Sequence, residues 1–335
     1  MHDTALVAVV VVIALGFDFT NGFHDTANAI ATSVSTHALS PRLAVLLSSA
    51  MNFVGAFVTL KVAATIGSGV IDPKHHHITL VMIIAALLGA IVWNLVTWYG
   101  GLPSSSSHAL IGGLIGAGIV GLGFSAVNWG SVVSKMIVPL VASPILGFFG
   151  AYLLMLIIYW IFRGARPRQA NRGFRLAQII SAAYVSFSHG TNDAQKTMGV
   201  ITLALISGHF LSSSSFHVPL WVVIAAAASM GAGTYAGGWR IIRTMGTRLY
   251  KIAPAEGFTA QTVAASLIQG ASNLGFPVST THVVTGSILG AGASESASAV
   301  RWGVGLNIIA AWIITLPMAA IFAGAIYFVL HFITR

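Results

Sequence analysis

Gly22-Phe23-His24-Asp25-Thr26-Ala27-Asn28 returns 168 residues later as Gly190-Thr191-Asn192-Asp193-Ala194-Gln195-Lys196. A second pair follows. Gly101-Leu102-Pro103-Ser104-Ser105-Ser106-Ser107-His108 has its counterpart in Gly275-Phe276-Pro277-Val278-Ser279-Thr280-Thr281-His282. Each copy sets a carboxylate and a hydroxyl-rich tract inside apolar sequence. The repeat continues beyond them: Ala126-Val127-Asn128-Trp129-Gly130 matches Ala299-Val300-Arg301-Trp302-Gly303, and Pro144 matches Pro317. The halves are therefore residues 1–162 and 176–335, joined by an arginine-rich linker at 163–175. Half a site is useless alone, so the two halves read as one intertwined domain. A duplicated polar site in such a chain is a common build for secondary transporters.

Of the 335 residues, 56% are hydrophobic and only 7% charged, against roughly 25% charged in a soluble protein. The mean hydropathy is +0.88. Apolar stretches at 43–60, 78–99, 136–162, 217–238 and 303–330 approach or exceed the roughly 20 residues a spanning helix needs. Leu6–Phe17 lacks the basic leader and small-residue cleavage site of a signal peptide, so it reads as a membrane segment that is kept. The fold class is all-α: a polytopic, multi-pass protein of the cell membrane. With no cysteine there are neither disulfides nor thiolate metal sites. The net charge of +9 does not point to nucleic acid, because the basic residues gather in short loops, one at 163–175 and one holding Arg240, Arg243, Arg248 and Lys251. Both loops should face the cytoplasm.

The second basic loop corresponds to roughly residues 70–80 in the first half, which hold one lysine and no arginine. Opposite charge bias in equivalent loops predicts inverted repeats, with the N-terminus outside. Segments 25–38, 102–122, 191–211 and 275–293 are interrupted by Pro, Gly and polar residues. They read as broken or re-entrant helices meeting at a midplane site, since non-helical backbone at membrane depth must line a cavity or lie buried in protein. Five or so crossings per half are expected.

Among only seven acids, Asp25 and Asp193 are repeat mates, and Asp18 stands shortly before the first. A charge in hydrocarbon costs a few kcal/mol and so faces a cavity or a partner. A lone aspartate could be a buried salt bridge; a duplicated one argues for function. Asp25 and Asn28, like Asp193 and Lys196, are spaced i, i+3 and share a helix face. Lys196 either neutralises Asp193 or offers an anion its counter-charge. The tracts Ser104, Ser105, Ser106, Ser107 and Ser279, Thr280, Thr281 follow prolines and precede apolar helical runs. Ser or Thr caps such a helix start, and its free N–H groups and positive dipole end suit a tetrahedral oxyanion. His108 and His282 read as core groups that support their neighbours, and His75, His76 and His77 as a solvated loop. Gly112/Gly116 and Gly286/Gly290 are small-residue packing patterns. An aspartate beside an anion must bind a coupling cation or proton, or accept a hydrogen bond from protonated phosphate, which sulfate cannot donate.

At these residues the chain resembles the PiT family of inorganic phosphate transporters, whose signature is roughly Gly-x-Asn-Asp-x-x-Asn once per half. Gly22, Asp25 and Asn28 fit it, as do Gly190, Asn192 and Asp193. The resemblance spans essentially the whole chain. It implies inverted repeats, a phosphate site between the halves, cation-driven uptake and a homodimer. His24 stands where the first motif has Asn, and Lys196 where the second ends in Asn. Both remove neutral oxygen ligands that sodium would use, and both look like the bacterial proton-coupled Pit branch, which carries phosphate partly as a metal–phosphate complex. The expected function is phosphate import by proton symport, with sodium-coupled phosphate symport or sulfate permeation as alternatives; no cofactor is expected. Asp25, Asn28, Asp193, Gln195, Lys196 and the two hydroxyl tracts would hold the anion or its metal. Asp25 and Asp193, with His24, Asn192 and Asn21, would handle the coupling ion. Duplication of the Ser/Thr-His tracts speaks against an intramembrane hydrolase, so no enzyme is expected.

Overall fold

The computed structural model describes residues 2–212 and 216–333. Among them there are helices and loops but no strand. Each half contributes six helices in matching order. The first half gives α1 His2–Ser35, α2 Pro41–Gly55, α3 Lys61–Gly69, α4 Leu80–Tyr99, α5 Ser106–Leu122 and α6 Trp129–Phe162. The second gives α7 Pro167–Ser207, α8 Leu220–Ala236, α9 Trp239–Arg248, α10 Pro254–Leu274, α11 Thr280–Glu295 and α12 Trp302–Ile333. Four helical spans among the described residues are long and apolar enough to cross a membrane: Thr4–Ser35, Leu80–Tyr99, Trp129–Phe162 and Trp302–Ile333. The pair α8–α9, bent by 59°, makes a fifth candidate.

Two expectations are corrected. Segments 25–38 and 191–211 are not broken at the Asp motifs. α1 runs unbroken to Ser35 and α7 to Ser207. The motif glycines serve close packing instead. A Cβ on Gly22 would collide with the α8 backbone at Met230 and Thr234, and one on Gly190 with the α2 backbone at Asn52. The interruptions fall only before the hydroxyl tracts, where loops lead into α5 and α11. The linker also shrinks, because Pro167 starts α7 inside it and leaves 163–166 non-helical; proline is well placed in a first helical turn.

The halves exchange partners. α5 packs on α12 and α11 packs on α6. The glycine patterns make this possible: a Cβ on Gly112 or Gly116 would strike the α12 carbonyls of Leu316 or Ala320, and one on Gly286 or Gly290 the α6 carbonyls of Pro144 or Phe148. The same reciprocity pairs α1 with α8 and α7 with α2, while α1 and α7 pack directly together. The outer faces of α6 and α12 remain exposed and apolar, with Val141, Ile145, Phe149, Leu306, Ile313 and Phe328 among their side chains. Such a face suits lipid.

Equivalent loops gather at different places. Asn128 N donates to Val70 O (2.9 Å) at the start of α6, and its counterpart Arg301 N donates to Leu249 O (3.1 Å). The latter belongs with the far end of α6. There Tyr159 donates to Glu256 (3.2 Å), Tyr250 donates to Glu295, and Phe174 near the start of α7 meets Phe162 edge-on and Phe258 at a tilt.

Candidate functional site

α1 and α7 meet where they carry Asp25 and Asp193, and the starts of α5 and α11 reach the same junction. Asp25 and Asp193 are buried, at 2% and 0% exposure. One ligand atom from each, with one from His189, lies within 4.8 Å of the others. Two carboxylates 168 positions apart therefore share one pocket.

Bonding around them follows the repeat and crosses between halves. Ser106 Oγ donates to Asp25 Oδ2 (2.9 Å), and its mate Thr280 Oγ1 donates to Asp193 Oδ2 (3.3 Å). Thr281 Oγ1 reaches from the second half to Asp25 Oδ1 (3.3 Å). Its mate Ser107 accepts from Lys196 Nζ (2.5 Å), which also donates to Asp193 Oδ1 (2.5 Å) and Val278 O (3.2 Å). All three ammonium protons are thus used. Asn28, in the position matching Lys196, donates to Thr281 (2.9 Å). Ser105 and Ser279 cap their helices instead, accepting from the His108 and His282 N–H groups. Ser104 donates to Thr97 (2.7 Å) and lies 3.3 Å from His24 Nε2. The carboxylate oxygens thus take hydroxyl donors at both helix starts, where a negative group is stabilised.

Not every expected residue arrives. Gln195 turns away: its Oε1 accepts from Val62 N and Ala63 N at the start of α3 (2.9 and 3.3 Å), and its Nε2 donates to Thr191 O. Asn192 donates to Ser272 and Phe276 O, tying α7 to α10 rather than reaching the carboxylates. His24 does reach them, with Nδ1 2.7 Å from Asp25 Oδ1 and Nε2 3.3 Å from Thr97. Asn21 is buried without a hydrogen bond. His108 and His282 support from behind: their ring centroids lie 4.6 Å apart, His282 stacks on Trp312 at 3.8 Å, and both line an apolar cavity of about 690 Å³ between α6 and α12.

Sequence reasoning missed His189. Its Nε2 sits 3.3 Å from Asp193 Oδ2, and its Nδ1 lies 3.0 Å from Asn52, which donates to Thr234 (2.8 Å). The signal was present, since His189 is the repeat mate of Asn21 and stands one turn before Asp193. Asn52 and Thr234 carried none, because no motif surrounds them.

A sequence profile of the phosphate transporter family matches residues 21–169 and again 161–323, once per half. The chain belongs to the phosphate transporter family. It is 50% identical over 98% of its length to a probable low-affinity inorganic phosphate transporter of Mycobacterium bovis, covering 78% of that protein. It is 49% identical over 98% of its length to a protein of the same description from Bacillus subtilis, covering 98% of it. The fold matches a solved structure titled the sodium-dependent phosphate transporter, with a TM-score of 0.91 at 24% identity, over 98% of this chain and all of that one. As a phosphate transporter the chain is a multi-pass protein of the cell membrane. The profile's two matches fall on the two halves whose aspartates meet in the pocket. The two departures from the PiT motif lie within it: His24 braces Asp25, and Lys196 pairs Asp193.

Proposed function

We propose that this phosphate transporter imports inorganic phosphate by proton symport, through alternating access of two inverted repeats. The observation that carries this reading is the approach of Asp25 to Asp193 beside Lys196 and the paired starts of α5 and α11. Phosphate would displace the carboxylates from the hydroxyls of Ser106, Ser107, Thr280 and Thr281. It would take their place at both helix starts, with Asn28 and Lys196 alongside and Ser104, Ser105 and Ser279 holding the starts in shape. Two unit charges about 4 Å apart repel by about 4 kcal/mol at an effective dielectric of 20, so one proton on a carboxylate changes anion affinity about a thousandfold. That is the physical basis of symport here.

Inversion is supported by the equivalent loops Val70–Asn128 and Leu249–Arg301, which associate with opposite ends of α6. The arginines near Phe174 mark their end as cytoplasmic. Proton coupling is supported by Lys196, whose ammonium already sits on the Asp193 oxygen a sodium ion would seek. Sodium coupling is the second reading. It is favoured by the Asp25–His189–Asp193 cluster, which could hold a metal ion, and by the printed title of the similar structure. A divalent metal travelling with phosphate would use that same cluster. A homodimer belongs to this reading, and crosslinking in native membranes checks it. The deciding experiment is phosphate uptake into proteoliposomes with proton and sodium gradients imposed separately. Accumulation driven by protons alone is expected; accumulation that needs sodium at constant pH refutes proton symport, and excess sulfate must fail to compete.

A further inference from the structure

Asp18 has no place in the site described above. It is completely buried, and neither carboxylate oxygen accepts a hydrogen bond from the protein. Its surroundings are polar. Asn21, one turn on along the same face of α1, leaves both Oδ1 and Nδ2 unpartnered. Thr197 on α7 is the neighbouring hydroxyl, its Oγ1 facing Asp18 but outside hydrogen-bond geometry. Asn94 on α4 is likewise buried with both polar atoms unpartnered. Asn94 stands one turn before Thr97 on α4, and Thr97 meets His24, which stands one turn after Asn21 on α1.

We propose that Asp18, Asn21, Asn94 and Thr197 form a second cation site, distinct from the anion site, whose occupant is a further proton, held on Asp18, that adds to the one taken in the Asp25–Asp193 pocket. This rests on the proton-symport reading above. An isolated ionised carboxylate is costly in a low-dielectric interior, so it is neutralised by protonation or by a bound cation. The other buried acids have partners: Lys196 lies on Asp193, His24 on Asp25 and Tyr159 on Glu256. Asp18 alone lacks one. The charged groups acting on it are Asp193 and Lys196 on α7; His189 on α7 and His24 and Asp25 on α1 stand further along the same two helices, and the titratable groups of α4 and α8, Tyr99 and Tyr235, are exposed. Protonated, Asp18 becomes a donor, and the Asn21, Asn94 and Thr197 oxygens are available acceptors.

The site is placed to act on phosphate without touching it. Asp18 precedes Asp25 by seven residues, two turns on the same helix face and about 10 Å along the axis. At that separation and an effective dielectric of 20, removing one negative charge favours a bound anion by roughly tenfold to twentyfold. Asp18 lies toward the start of α1, the end the charge pattern assigns to the outside. A proton taken from that side forms the Asp18 O–H bond, and its release on the other side breaks it, with no other change in bonding.

The test is Asp18→Asn, which fixes the uncharged state, in proteoliposomes with radiolabelled phosphate. Wild type is measured first: no phosphate exchange, or no proton-driven accumulation, defeats the parent reading and not this one. With the parent intact, Asp18→Asn should lower proton-driven accumulation at least tenfold. Between acid and alkaline pH the half-saturation of its phosphate exchange should change about tenfold less than that of wild type. In infrared difference spectra between acid and alkaline pH, one protonated-carboxyl band of wild type should vanish. Wild-type accumulation with wild-type pH dependence overturns the proposal. Loss of exchange as well calls in Asp18→Glu, which should restore proton-driven accumulation with a displaced pH profile. A well-folded Asp18→Glu protein that fails to accumulate phosphate also overturns it.

Discussion

Lys196→Ala removes a cation with no exposure to solvent, whose three protons go to Asp193, Ser107 and Val278. What remains is a buried carboxylate whose polar partners are His189 and Thr280, with the Asp25 carboxylate in the same pocket. Breaking a buried pair from one side costs about 3–5 kcal/mol, and Asp193→Asn, which strands the ammonium, should cost a similar amount. Removing both charges, as in Asp193→Asn with Lys196→Ala, leaves no uncompensated charge and should cost far less than the sum. A double-mutant cycle should then show a coupling of about 2 kcal/mol or more. Reversible unfolding in SDS–detergent mixtures reads the stabilities, and phosphate uptake reads function, which all three variants should lose. Lys196→Ala within about 1 kcal/mol of wild type, or a double variant as unstable as the summed singles, would refute the idea that a buried ion pair organises this pocket.

Asp25→Asn should abolish phosphate accumulation while the protein still inserts and purifies as wild type, as measured by uptake beside membrane-fraction yield. Ser105→Ala should lower stability by about 0.5–2 kcal/mol through its lost helix cap with uptake affinity little changed, whereas Ser106→Ala should weaken phosphate half-saturation at least severalfold; kinetics and melting curves on both separate the roles. Gly290→Ala should destabilise by about 1–3 kcal/mol because its methyl meets the Phe148 carbonyl; Gly270→Ala, where nothing lies within 4 Å, should be neutral or slightly stabilising in the same melts. His189→Ala should cut uptake at least tenfold, and Asn52→Ala should mimic it in part; a fully active His189→Ala protein would remove His189 from the site.

Much of the site was legible because the repeat is its own control. A lone aspartate in apolar sequence is ambiguous, but Asp25 and Asp193 at matching positions, each followed by a Pro-led hydroxyl tract, point to two halves of one pocket. Ser106, Ser107, Thr280, Thr281, Asn28 and Lys196 were singled out this way, and the structure gathers them around the two aspartates. Gln195 and Asn192 were misjudged because motif membership says nothing about direction. On a helix, successive side chains turn by about 100°, so Gln195, two residues after Asp193, faces α3. His189 was overlooked because its repeat mate is an asparagine and the motif boundary was drawn one residue too late.

The sequence by itself determined that the chain is helical and membrane-bound, that it is doubled, and which polar residues recur at matching places inside apolar sequence. Hydropathy, repeat spacing and proline-led capping are local properties, and each is written in consecutive residues. Only the tertiary structure decided that α1 and α7 run unbroken through the aspartates, that α5 and α11 exchange partners across the halves, and that Asp18 is left alone while Asp193 is not. These depend on which backbones approach closely enough to touch. That choice is made by glycines meeting carbonyls from the other half of the chain, a contact no stretch of sequence records.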